Sequence, residues 1–305
     1  MMQVKYDIID RKLVPSNSDG CAISIYINPD EKEKRYLVDE IKIDEHTLNS
    51  ALDPDELSRL EFEPEHIAII FKRPKNYSGK EEFLFKVAST GAFLFKNRLI
   101  IVINEDVPIL EGVQFAKVFS PAHLLLKLVN RSIFHFLEHL RIISAISDDL
   151  QNKINRSMEN RSLINLFTLE KSLVYYLNSI NSNGALIDKI RLNAGKIGFS
   201  TDELELLDDI HIENSQCYKQ AEIYSNILAS LMDARASIVS NNLNVLMKTL
   251  NIITIAIMVP TFVVSAFSMN VKIPFQAHPF AFWIILSLAV LSVLSFALFW
   301  RYRKW

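Results

Sequence analysis

Two apolar runs close to the C-terminus constrain this chain more than any other feature. From Leu250 to Met269 only Asn251, Thr254, Thr261, Ser265 and Ser268 bring polar groups into an uncharged stretch. From Phe280 to Trp300 the sequence is apolar again, relieved only by serines. Each run holds about 20 residues, which at a helical rise of roughly 1.5 Å crosses a hydrocarbon layer about 30 Å thick. Whole-chain averages, 22% charged and 50% hydrophobic, would suit an ordinary soluble protein and hide this segregated tail. Both runs lie far from Met1, so a removable leader does not explain them. The expectation is an integral membrane protein with two transmembrane helices.

Two consecutive spans return the chain to its starting side, so one charge rule must fit both ends. Lys248 precedes the first span, and Arg301, Arg303 and Lys304 follow the second. The connection from Asn270 to Pro279 has only Lys272 and His278. Basic flanks stay in the cytoplasm, which predicts a cell-membrane protein with both termini cytoplasmic and Trp283 and Trp300 at the lipid interfaces. Cys21 and Cys217 form no disulfide framework or metal-ligand spacing. A formal net charge of -2 argues against a nucleic-acid partner.

Ahead of the membrane the hydrophobic period changes. The runs Ala22–Ile27, Ile67–Phe71, Glu82–Val87 and Leu99–Ile103 are rich in β-branched and aromatic residues and predict strands. Asp53-Pro54 predicts the opening of a short helix through Leu57–Leu60. Beyond Pro121 the apolar spacing is helical, which predicts two antiparallel helices with a break around Met158 to Asn160. A third helix starts at a Ser200-Thr201 cap, with Asp202 and Glu203 in the first turn where the helix dipole favours acids. It has neither proline nor glycine for about 60 residues, until Pro260, so it is expected to run on into the first span. Pro260 would only kink it. The predicted organisation is an α/β domain over 1–120, a helical hairpin over 121–199 and a stalk helix over 200–249. Spans at 250–269 and 280–300 enclose an outer loop at 270–279, and a basic tail occupies 301–305.

Along the third helix Asn244, Met247, Asn251, Thr254, Met258, Thr261, Ser265 and Ser268 alternate steps of three and four, so they share one face. Period 3.5 is the seam that helices present to a common axis. In lipid, such polar groups turn towards helix contacts or a water-filled path. Two spans cannot enclose a pore, so a pore requires a homo-oligomer; the competing reading is a packing seam in a dimer. The lining offers amide, hydroxyl and thioether groups but no carboxylate within the span. Mg2+ gives up its water reluctantly, and neutral rings that hydrogen-bond its hydration shell form a path that suits it.

These residues resemble the CorA family of divalent-cation transporters. Ser268-Met269-Asn270 stands where the family carries a Gly-Met-Asn signature, and Trp300 to Trp305 resembles its short basic tail. Ser240-Asn241, Asn244, Met247-Lys248 and Leu250 are similar to the family's stalk-to-pore stretch. Leu52-Asp53 with Glu56, Ser58-Arg59 and Glu61, and Leu169 to Tyr175, resemble features of its soluble body. The resemblance implies an α+β membrane protein, a funnel-shaped homopentamer with a cytoplasmic α/β domain and five stalk helices around one pore. It implies transport of Mg2+, with Co2+ or Ni2+ as further cargo. It also implies gating by cytoplasmic Mg2+ bound between subunits, with Asp209, beside Asp208, in the position of a stalk ligand. Serine in place of the signature glycine either adopts an ordinary φ or accepts strain of about 1 kcal/mol. Relatives with altered signatures include zinc transporters, so Zn2+ is an alternative cargo, and a non-conducting membrane-anchored sensor or scaffold is the alternative function.

One motif points elsewhere. His135-Phe136-Leu137-Glu138-His139 reads as H-x-x-E-H, an inverted zinc-protease pattern. No third ligand accompanies it, and the helix has a packing explanation with Ile133, Leu137 and Leu140 inward and the histidines outward. The 7 glycines form no nucleotide-binding loop. The chain is expected not to be an enzyme.

Overall fold

The computed structural model describes residues 2–18, 20–77, 83–156, 160–269 and 278–303. It divides into two compact units, Met1–Ser230 and Leu231–Trp305. The first is built on a seven-stranded sheet ordered β2-β1-β3-β7-β6-β5-β4. The strands are β1 (Met2–Ile9), β2 (Lys12–Pro15), β3 (Ile23–Ile27), β4 (Arg59–Phe62), β5 (Ile67–Pro74), β6 (Val87–Leu94) and β7 (Leu99–Ile103). Only β3 and β7 pair in parallel; every other neighbour is antiparallel.

Both faces of this sheet are covered, which is why β5 and β7 read as continuous apolar runs rather than alternating ones. Along β5, Ile69 faces one core and Ile70 the other; along β7, Ile101 and Val102 divide in the same way. One face packs against the short helices α1 (Glu31–Asp39) and α2 (Glu45–Leu52). The other meets the long helices α3 (Pro121–Arg156) and α4 (Asn160–Leu192) together with Leu207, Ile210 and Cys217. Each fully buried aliphatic side chain contributes about 1.5–3 kcal/mol relative to exposure. The chain continues through the single turn α5 (Ala194–Ile197) into α6 (Thr201–Phe267), a helix of 67 residues, and ends in α7 (Ala281–Arg303).

The helix starts obey local chemistry. Ser200 and Glu203 form a reciprocal cap on α6: the Ser200 amide donates to Glu203 Oε2 at 2.8 Å, and the Glu203 amide donates to Ser200 Oγ at 3.4 Å. Ser120 donates to Glu203 Oε1 at 2.5 Å while accepting from the His123 amide at 2.9 Å, so one hydroxyl ties the start of α3 to that of α6.

Two local expectations are corrected. There is no helix at Leu57–Leu60. The helix lies earlier, capped by Asp44, which accepts from the Thr47 amide at 2.9 Å; Asp53 is its C-cap, and Arg59 begins β4. Of the strand expected at Glu82–Val87, Glu82 lies outside the described residues; among the described residues the strand begins at Val87 and runs to Leu94. Its sequence Val-Ala-Ser-Thr-Gly-Ala is small rather than bulky, and at Gly91 the reason is the close crossing of α2. A Cβ on Gly91 would collide with the Cβ of Ala51.

Candidate functional site: the polar seam of the long helix

In the second unit α6 and α7 are both long and apolar enough to cross a membrane. On α7 the less exposed positions include Ile285, Ala289, Ser292, Phe296 and Trp300, a single stripe. On α6 they include Ile252, Ala256, Val259, Val263 and Ala266, also one stripe. Lys248 Nζ sits 6.0 Å from the Trp300 ring centroid, joining the two helices at this end.

All eight seam residues, Asn244, Met247, Asn251, Thr254, Met258, Thr261, Ser265 and Ser268, are exposed in the single chain. At 3.6 residues per turn they lie on roughly the opposite side of α6 from the stripe that includes Ile252, Ala256 and Val263. The seam therefore faces away from the chain's own second span. Pro260 lies within the helix, which continues past it to Phe267.

The hydroxyls on this face have a defined polarity. Thr254 Oγ1 donates to the Leu250 carbonyl at 2.8 Å and Thr261 Oγ1 to the Ile257 carbonyl at 2.6 Å. With each proton committed to the backbone, the outward lone pairs can only accept. Acceptors suit the outer hydrogens of a hydrated cation. Ser268 behaves similarly, its Oγ donating to the Ser265 carbonyl at 2.9 Å. It does not have positive φ, so serine at the signature position adopts an ordinary backbone conformation without left-handed strain. Met269 is exposed. Asn270 and Lys304 lie outside the described residues, and Arg301 is exposed near the end of α7, in which Arg303 is the last residue.

The two stalk acids differ. Asp208 is engaged, accepting from Arg191 Nε at 3.0 Å and Nη2 at 2.9 Å. Asp209 is exposed and makes no hydrogen bond or ion pair among the described residues. One turn further on is Glu213, whose Oε2 is buried without a partner among the described residues. Burial, then the charge of Asp209, push the Glu213 carboxyl above its usual range. Two carboxylates an i, i+4 step apart, one exposed and one under-satisfied, form an oxygen-donor pair that suits Mg2+. Glu213 was not among the candidates read from the sequence, although it stands an i, i+4 step from Asp209. No group of three or more potential ligands forms within the chain among the described residues.

The H-x-x-E-H residues form no metal centre. His139 points inward, contrary to the outward expectation: its Nδ1 lies 2.6 Å from the Tyr176 hydroxyl, and its ring stands edge-on to Phe85. His135 is half-buried, 4.4 Å centroid to centroid from His139. Burial, chiefly, holds His135 down at about 3 and His139 at about 4, so both are neutral near pH 7.

Fold and seam together define a membrane protein of two C-terminal spans, carried on a helix that begins in a mixed α/β body and bears one polar face through its membrane segment. The model of the CorA-like Mg2+ transporter proteins matches residues 23–303, and the chain belongs to this family of divalent-cation transporters, which are not enzymes. It is 24% identical over 294 residues to the cobalt/magnesium transport protein CorA of Methanocaldococcus jannaschii, covering 91% of this chain and 89% of that protein. The complete structure of the CorA magnesium transporter from the same organism superposes with a TM-score of 0.83 at 20% identity, covering 99% and 98% of the two chains. The full-length CmaX protein superposes with a TM-score of 0.72 at 17% identity, again over 99% and 98%.

Proposed function

We propose that this protein conducts Mg2+, with Co2+ or Ni2+ as further cargo, along the polar seam of α6 in a homopentamer at the cell membrane. The observation that carries this reading is the exposure of all eight seam residues on the side of α6 away from α7. Leaving amides and hydroxyls to lipid is costly, whereas the same groups around a shared aqueous axis are solvated. Two similar proteins, a cobalt/magnesium transport protein and a magnesium transporter, support this cargo. Both termini are assigned to the cytoplasm by Lys248, Arg301, Arg303 and Lys304. The driving force is then the inside-negative potential, about 2.3 kcal/mol per charge per 100 mV.

The ion closes its own path. Mg2+ bound between neighbouring subunits at Asp209, with Asp208 and Glu213 close by, holds the closed state, and its loss as cytoplasmic Mg2+ falls frees the stalks to open. Ser268, Met269 and Asn270 form the outer mouth, where neutral oxygens meet the incoming hydrated ion. The test is flux into liposomes enclosing a Mg2+-sensitive dye, repeated with Co2+, Ni2+ and Zn2+. Saturable Mg2+ entry supports the proposal. Zinc entry alone moves the cargo to zinc, and no entry from folded oligomers favours a non-conducting sensor.

A further inference from the structure

A separate polar cavity of about 170 Å3 lies between the sheet, α3 and the segment Val107–Glu111. Arg73, Asn76, Thr90, Arg131, Ser132 and His135, with the carboxylate of Glu111, supply its polar lining. Arg73 stands on β5 and Thr90 on β6, and they are only 6% and 2% exposed. Arg73 Nε and Thr90 Oγ1 are buried with no hydrogen-bond partner among the described residues. Proteins rarely leave two buried polar groups unmet on one cavity, because such groups have surrendered water and received nothing in return.

The charges around the cavity favour an anion. Arg73 makes only long contacts, 3.4 Å from Nη2 to Glu105 Oε2 and 3.3 Å from Nη1 to the Pro74 carbonyl. Glu105 is shared with Lys75. Arg131 holds Glu138 at 3.2 Å on the outer surface of α3, and Glu111 is exposed at the rim. His135, kept neutral by its surroundings, retains one N–H to donate. The Arg73 guanidinium, with Arg131 beside it at the outer side, therefore lines a space that also offers the Thr90 hydroxyl, the Asn76 amide and the His135 imidazole as donors, while the Ser132 proton is committed to the Val129 carbonyl at 2.7 Å. Guanidinium forks match the paired oxygens of phosphate. At about 30 Å3 of liquid volume per water the space equals about five or six waters, enough for one tetrahedral oxyanion.

We propose that this cavity binds a small tetrahedral oxyanion, free phosphate or the phosphate of a small monoester, which bridges β5 and β6 to α3. The site is independent of the ion path, and its test does not use transport. Inorganic phosphate is titrated by calorimetry into the full-length protein in detergent, with glycerol phosphate as a second probe. The expected result is one saturable site per chain, weakened about tenfold or more in Thr90→Val, as for one lost hydrogen bond to a charged group. Arg131→Gln is expected to weaken it as well. Phosphate should slow amide exchange over residues 128–135 in the parent chain and less so in Thr90→Val. Phosphate binding alone assigns the free ion; binding of both probes assigns a monoester. Absence of saturable binding to folded protein, or binding indifferent to both substitutions, overturns the proposal.

Discussion

Replacing Asn183 by alanine should loosen the joint between α4 and the sheet edge by about 3 kcal/mol. Strand β4 stops at Arg59, opposite Ile70, so Lys72 further along β5 has no strand partner on that side. Asn183, fully buried on α4, takes its place: Oδ1 accepts from the Lys72 amide at 2.8 Å and Nδ2 donates to the Lys72 carbonyl at 2.9 Å. The same Oδ1 accepts from Ser58 Oγ at 2.7 Å, and neighbouring Ser182 Oγ accepts from the Ser58 amide at 2.7 Å. Alanine leaves three groups without these partners, and each buried unmet group costs about 1–3 kcal/mol. Taking the lower figure, because water can enter the vacated space, gives about 3 kcal/mol. At 1.4 kcal/mol per decade, protection of the Lys72 amide from hydrogen exchange should fall by about a hundredfold. Exchange by mass spectrometry on the full-length protein, resolved to peptides over residues 67–74, reads this directly. Unchanged protection there would refute the role assigned to Asn183.

Acid should destabilise the α/β body. Burial lowers the folded-state pKa of His66, His123, His135 and His139, with His135 at about 3 and His139 at about 4. The unfolded chain therefore binds these protons first, so stability is fully present above about pH 6.5 and is lost as pH falls towards 4. Melting temperature followed across that window checks the sign, and His139→Gln should flatten the slope. Asp209→Ala is expected to leave the pore open at millimolar Mg2+ in the liposome assay, whereas closure as in the parent would remove Asp209 from gating. Asn270→Ala should abolish uptake, and unchanged uptake would remove Asn270 from the mouth.

The membrane helices and the long α6 were legible because their signals are local: uninterrupted apolar length, a Ser200 cap and no breaker before Pro260. Strands β3, β5 and β7 were legible as apolar runs because both of their faces are buried. Strand β6 was misplaced because Ala88, Ser89, Gly91 and Ala92 stand where bulky residues would mark a strand; the close approach of α2 accounts for Gly91, whereas Ala92 belongs to the core on the α3–α4 face. The β1–β2 hairpin, on the sheet edge and only partly buried, carried too weak an alternation to stand out. The helix near residue 50 was displaced because Asp53-Pro54 reads as a start, while Asp44 captures the Thr47 amide and Asp53 closes the helix. The seam's spacing was readable from sequence, but the inward-tied hydroxyls of Thr254 and Thr261 and the under-satisfied Glu213 were not, since both depend on side-chain geometry. His139 was misassigned to the surface because its partner, Tyr176, lies 37 residues away on another helix.

The central claim is that ions pass along the polar face of α6. Mg2+ influx into liposomes under an inside-negative potential should be compared for the parent chain, Asn251→Leu on the seam and Ile252→Leu on the opposite stripe at the same depth. The account predicts that Asn251→Leu loses most of the flux while Ile252→Leu retains it. Equal flux from all three, with equal insertion, would contradict a path along this face.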